Sequence, residues 1–259
     1  MDEVQLPRST QRKDGVIGFD LPHPYSEQRL SVVDRYNHLG SFVSTNECLT
    51  YDAQHRCSSA VSAYVPIAMR IFGSSHIHKG LKIHFMSSLI LSRLLHNTQT
   101  WVPQAASMQR LNCVYMRVLR RIADDRKFQK CHLTVIEVRK LLLMPSIECL
   151  IMRRRLLYLA RIVASGHKSL VASLALSYNG ERLPSVVLIC KGMSLMYERI
   201  PAVRGWLPAP YCDPFAWAGV LKEFPFKWHE FVQQVDFYES VNGAAPVACV
   251  SHPPVHSFT

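Results

Sequence analysis

Arginines at 110, 117 and 121 are the side chains whose spacing best suits a chemical task. On a helix turning 100° per residue, Arg117 and Arg121 each lie within about 20° of Arg110, on opposite sides of it. The three guanidinium groups therefore form one stripe, beside an apolar face centred on Leu111, Val118 and Ile122. A guanidinium is a planar fork of donors that matches phosphate oxygens. A row of them suits a sugar-phosphate backbone, whose contacts position a nucleic acid without reading its bases. Arg126, Lys127 and Lys130 extend the positive charge beyond the helix, and Asp124 and Asp125 interrupt it. The same residues also fit a solvated face whose last basic residues complement the helix dipole.

Arg153, Arg154 and Arg155 are consecutive, so on a helix they fan over about 200° and at most two neighbours share a face. Arg153 and Arg154 are the pair assigned to phosphate. Because Ile147, Leu150, Ile151, Leu157, Tyr158 and Ile162 claim much of the same circumference, these arginines also suit snorkelling around a buried helix. The Asp124-Asp125 pair resembles the metal-binding turn of a polymerase, but that turn needs apolar strands on both sides to hold two divalent cations. Here the flanks are Arg120-Arg121 and Arg126-Lys127, which suit a helix end with local ion pairs. No phosphate loop, nucleophile elbow, zinc-peptidase helix or dinucleotide fingerprint occurs. No catalytic residue, cofactor or metal site is assigned. His76, His78 and His84 are the nearest approach to a metal cluster, and they lack a neighbouring Cys or carboxylate. None of the eight cysteines forms a Cys-x-x-Cys pair, so they read as reduced, mostly buried thiols.

Charge locates the basic surface more narrowly than composition does. The 259 residues hold 30 Lys plus Arg against 19 Asp plus Glu, a net +11. Residues 1–108 carry ten basic and eight acidic side chains, 109–167 thirteen and four, and 168–259 seven and seven, giving +2, +9 and 0. Such asymmetry marks a surface for an anionic partner. With 48% hydrophobic residues the chain has material for a core, which excludes a disordered polyelectrolyte. No basic-led signal peptide opens it, and its best apolar runs fall short of the roughly 18 residues of a membrane span. The expectation is an intracellular protein, nuclear or cytoplasmic, with no membrane partner.

The elements that must position these residues read as mainly α-helical. Residues 1–30, punctuated by Pro7, Gly15, Gly18, Pro22 and Pro24, are expected to be a mobile arm. Over 31–51, the pattern of Val32-Val33, Tyr36, Leu39 and Phe42-Val43 suits a short β-hairpin. From 52 to 167 the periodicity predicts helices over about 52–72, kinked at Pro66, and about 78–96, carrying Leu81, Phe85, Leu89 and Leu94-Leu95. Further helices follow from Pro103 through Ile122, from Thr134 to Pro145, and from Ser146 to Ser165, capped by Gly166. Residues 168–239, cut by six prolines, read as a weakly structured tail of short helices, and 240–259 as disordered.

From Tyr36 to His167 the sequence resembles the region after the catalytic palm in reverse transcriptases of non-LTR, LINE-type retrotransposons. Tyr36-Asn37-His38-Leu39-Gly40-Ser41 is similar to the Tyr-x-x-Leu-Gly segment at the primer grip, and Asp52 through Ala60 to the helix after it. Lys79, Leu89 through His96 and Thr100-Trp101 are similar to a Lys-led helix ending in Leu-Leu-Tyr-Gly and Glu-Thr-Trp. Leu111 through Arg121 resembles the basic helix ending Leu-Arg-Arg, and Arg153 through His167 the Arg-Arg-Leu helix closing in Gly-His. His96-Asn97, Gln99 and Asn37-His38 depart from the pattern.

The resemblance covers about half the chain and implies a primer-grip-like segment at Tyr36, Leu39 and Gly40, followed by a helical thumb and connection bundle. It also implies RNA or DNA template-primer as a partner, bound without sequence preference, and other retroelement-encoded proteins as further partners. In that family the catalytic aspartates precede the Tyr-x-x-Leu-Gly segment, and 35 residues precede Tyr36 here. The expectation is a fragment with no polymerase activity of its own. The alternatives are a non-enzymatic helical scaffold or protein-interaction module, and a decayed open reading frame without selected activity.

Overall fold

Pro66 has no N–H to give to an α-helical ladder, and in a computed structural model of the chain the first helix changes geometry around it. Helix α1 (Thr50–Tyr64) gives way to a 3-10 turn at Val65–Ile67 and a wider, π-type stretch at Ala68–Phe72. The structure describes residues 9–11, 17–20, 29–31, 35–38, 41–44, 49–123, 133–164, 177–178, 181–182, 184–209 and 214–242. Leu39, Gly40, Asp124, Asp125, Arg126, Lys127, Lys130, Gly166 and His167 lie outside them.

The chain divides into two units, Met1–Asp52 and Ala53–Thr259. In the first, within the stretch read as an arm, β1 (Ser9–Gln11), β2 (Ile17–Asp20) and β3 (Arg29–Ser31) pair antiparallel in that order. Strand β4 (Arg35–His38) pairs antiparallel with β5 (Ser41–Ser44), setting Tyr36 opposite Val43.

The second unit is mainly helical. Helix α2 (Lys79–Phe85) starts at His78, whose Nδ1 accepts the Gly80 N–H at 3.1 Å. It continues through a π-type stretch, Met86–Leu91, into a last turn at Ser92–Leu94. Met86, Ile90, Leu94 and Leu95 are buried, while Leu81 and Leu89 stand exposed. Leu94 and Leu95 are thus buried as expected, whereas further up the helix the buried residues, Met86 and Ile90, stand one position after the expected Phe85 and Leu89. Apolar residues at 81, 83, 85, 86, 89, 90 and 91 offer two faces, and the choice is made by what packs against them.

Helix α3 (Ala105–Ala123) is strongly amphipathic and buries Leu111, Tyr115, Val118, Leu119 and Ile122. Helix α4 (Val135–Leu142) opens on a capping box. Thr134 Oγ1 accepts the Glu137 N–H, and the Glu137 carboxylate accepts the Thr134 N–H at 2.7 Å, satisfying two otherwise orphaned donors. At its other end Leu143 takes a left-handed conformation, φ 53°, and the Met144 N–H returns to the Arg139 carbonyl at 2.9 Å. The chain then passes Pro145 into α5 (Ile147–Ala164). The buried Tyr115 hydroxyl donates to the Pro145 carbonyl at 2.8 Å, pinning α3 to this junction.

Strands β6 (Ser177–Tyr178) and β7 (Glu181–Arg182) pair antiparallel. Four helices follow, α6 (Pro184–Arg199), α7 (Pro201–Arg204), α8 (Pro214–Glu223) and α9 (Pro225–Asn242). Each begins at a proline, where a missing N–H costs nothing. Residue 167 therefore does not separate one core from the next. Helices α6, α8 and α9 pack on α5, and Leu156 and Leu159 share a core with Met193, Met196, Ile200, Trp217, Trp228 and Phe231. Trp217 and Trp228 meet edge to face at 5.9 Å. Their indole N–H groups donate to the carbonyls of Pro208 and Leu156, both at 3.0 Å. Among the described residues no helix is long and apolar enough to cross a membrane.

Candidate nucleic-acid interface

Burial of Leu111, Val118 and Ile122 orients α3 and so fixes where the stripe beside them points. Arg110 and Arg117 are exposed, and Arg121 is half-buried. All three run along the 57–73 segment. Burial pushes the half-buried Cys57 thiol up from its ordinary pKa, the Arg110 guanidinium partly offsets that, and the neighbouring Cys113 thiol adds to it. Arg117 lies over the Tyr64 ring, 5.9 Å from its centroid, close enough for the ring face to attract the cation. Arg121 Nη2 donates to the Met69 sulfur at 2.7 Å. Its guanidinium crosses Gly73 where a Cβ would stand.

Two members of the row, Arg117 and Arg121, therefore rest on the 57–73 segment. The ends of the row are 11 residues apart, or about 16 Å of helix, enough to follow several phosphates. Arg110 and Arg117 keep donors toward solvent, whereas Arg121 has spent one on a sulfur. The sequence placed the three on one line. It carried no signal for Met69 or Gly73 beneath Arg121, because that contact spans 52 residues.

The second arginine group does a different job. Arg154 Nη1 donates to the Leu95 carbonyl at 2.6 Å. Arg155, buried, donates through Nε to Gln99 O at 3.3 Å and through Nη2 to Trp101 O at 2.9 Å. Arg56, also buried, stacks its guanidinium over the Trp101 ring at 5.3 Å. Burial lowers the pKa of both Arg154 and Arg155, and the charges of Arg153 and Arg56 lower Arg154 further. Both remain cations, since a guanidinium does not deprotonate in a protein.

Residues 95–101 form a sharp turn with Asn97 in the left-handed region, φ 56°, and a buried Thr98 whose hydroxyl donates to Leu95 O at 2.9 Å. A turn that leaves its carbonyls inside the protein needs donors, and Arg154 and Arg155 supply them. Arg154, assigned to phosphate on sequence, is occupied by a backbone carbonyl. Arg153 is half-buried. Arg56 and Arg155 went unassigned, although an arginine set on the apolar face of a helix is itself a signal that fixed acceptors lie opposite.

His76 and His78 make local contacts, the first through its own N–H to Ser74 Oγ at 3.3 Å, the second as the α2 cap. Among the described residues no group of three or more His, Cys, Asp or Glu is placed to hold a metal ion. Cys57, Cys113 and Cys190 are free thiols, and Cys113 is exposed. Compared with known proteins, the chain matches no family model, no curated protein and no solved structure.

Proposed function

We propose that the chain is a retroelement-derived helical fragment, related to the thumb and connection region of a LINE-type reverse transcriptase. In this reading it binds RNA or DNA template-primer through phosphate contacts. The observation that carries the reading is the row on α3, where Arg110 and Arg117 are exposed guanidinium groups on one helix face and Arg117 lies over the Tyr64 ring. Arg126, Lys127 and Lys130 follow it in sequence. Arg121 and Arg154 serve as supports, one against Met69 and the other at Leu95 O. Tyr36, in β4, belongs to the segment whose sequence is similar to a primer grip.

The test is affinity for an RNA–DNA hybrid duplex measured across salt. Each phosphate neutralised contributes about 0.9 to the log-log slope, so Arg110→Ala with Arg117→Ala is expected to lower the slope by about 2 and to weaken binding equally for all sequences. An affinity unchanged between low and physiological salt overturns the reading. The sulfur contact of Arg121 favours the competing reading, a helical scaffold, for that one residue. Arg121→Ala added to the double variant is therefore expected to lower stability more than affinity.

A further inference from the structure

Four tryptophans serve the chain, at 101, 206, 217 and 228. Three are buried at 5% exposure or less, and Trp206 is 47% exposed. Trp206 follows the short helix α7 and rests edge to face on Phe224 at 5.3 Å and on the buried Phe231 at 6.2 Å. Phe224, half-exposed, ends the connection between α8 and α9, and Phe226, in the first turn of α9, is 91% exposed. The Lys227 ammonium sits 5.9 Å from the Trp206 ring centroid and 5.4 Å from that of Phe231. It also pairs with Glu230 at 2.9 Å, a solvent-exposed i,i+3 contact. Arg204 and Lys222, exposed, flank the aromatic residues in sequence.

We propose that this face is a stacking platform for the bases of single-stranded nucleic acid. Trp206 and Phe226 offer ring surface, and Lys227 contacts the phosphate. The composition selects this occupant. The large exposed apolar side chains in this stretch, Trp206, Phe224 and Phe226, are aromatic, the Trp206 ring is set by edge-to-face packing on Phe224 and Phe231, and the Lys227 ammonium stands over the Trp206 and Phe231 rings. Flat, sequence-tolerant stacking beside a basic group is how single strands are held without base-specific hydrogen bonds. Glu230 competes with phosphate for Lys227 through an exposed ion pair, which is weak and easily exchanged. The platform lies outside the α3 row and shares no residue with it, so it goes beyond the phosphate reading above.

Trp206 is also the natural reporter. Full-length protein is titrated with a dT or rU 20-mer and with an abasic strand of the same length, and intrinsic fluorescence is followed. The base-containing strands are expected to quench the exposed tryptophan and the abasic strand to leave it bright while binding about tenfold or more weaker. Phe226→Ala, at a position too exposed to support the fold, should weaken single-strand binding about tenfold with unchanged circular dichroism. Trp206→Phe should abolish the quench, and Glu230→Gln should tighten binding by a few-fold. Equal affinity for the abasic strand, a quench that survives Trp206→Phe, or wild-type binding by Phe226→Ala overturns the platform. So does a change of oligomeric state on Phe226→Asp with no oligonucleotide binding, which assigns the face to protein contact. Loss of hybrid-duplex binding in Arg110→Ala/Arg117→Ala with single-strand quenching intact removes nothing from the platform. The converse result leaves the α3 row standing alone.

Discussion

Arg155 is the side chain on which most of the 95–101 turn depends. It is buried, it reaches two carbonyls, and no smaller residue can span both. Arg155→Ala leaves Gln99 O and Trp101 O inside the protein with a hydrogen bond removed from each, at a cost of about 3 kcal/mol. Arg155→Lys, with a single point charge in place of a fork, is expected to recover only part of that, as urea denaturation would show. A wild-type midpoint for the alanine variant would mean the turn holds without it. At this scale the sequence was informative about direction and silent about partners. Helical spacing alone aligned Arg110, Arg117 and Arg121. The same spacing could not show that Arg154 ends on Leu95 O, since that contact joins residues 59 apart, and charge by itself does not distinguish a carbonyl from a phosphate as the acceptor.

Helix ends were the most legible elements, because their signals are local. Thr134 reads as a start, and the structure forms a capping box there with Glu137. Pro66 reads as a break and sits in the 3-10 turn after α1. The buried face of α2 was not legible, because an apolar run with two candidate faces leaves the decision to tertiary packing. The cap carries a pH prediction. Hydrogen bonds from the Thr134 N–H and hydroxyl hold the Glu137 carboxyl below its usual pKa. Its contribution is therefore complete above the ordinary carboxylate range and fades as pH falls through the depressed folded-state value. Glu137→Gln keeps an acceptor for the Thr134 N–H and removes the titration. Its thermal midpoint should fall less steeply than that of the parent on acidification from about pH 6 to about pH 3. Parallel curves for the two proteins would sink the assignment.

Across the whole molecule, the mainly helical character was written in the periodicity, whereas the role of residues 184–242 was not. Six prolines between 184 and 225 read as dividing this stretch into short helices, and the structure forms them, four starting at a proline; what the reading missed is that three of these helices pack on α5. Short helices carry weak periodicity, and the burial of Trp217 and Trp228 depends on a surface some 60 residues upstream. Trp228→Phe, which forfeits the bond to Leu156 O and leaves a void, should cost about 2 kcal/mol. Because α5 belongs to both halves of the 53–259 unit, urea should melt the Trp emission and the helical signal in one transition. Two separated midpoints would show that the halves fold independently.

The arginine clamp also sets an order of events during synthesis. The acceptors at Leu95, Gln99 and Trp101 leave the ribosome 54 to 59 residues ahead of their donors. At roughly 5–20 residues per second, that is a wait of about 3–12 s. During it the 95–101 turn has its carbonyls and its indole but not its fastening, so a nascent chain stalled before residue 154 should expose Trp101 to protease and to chaperones. One extended past α5 should not.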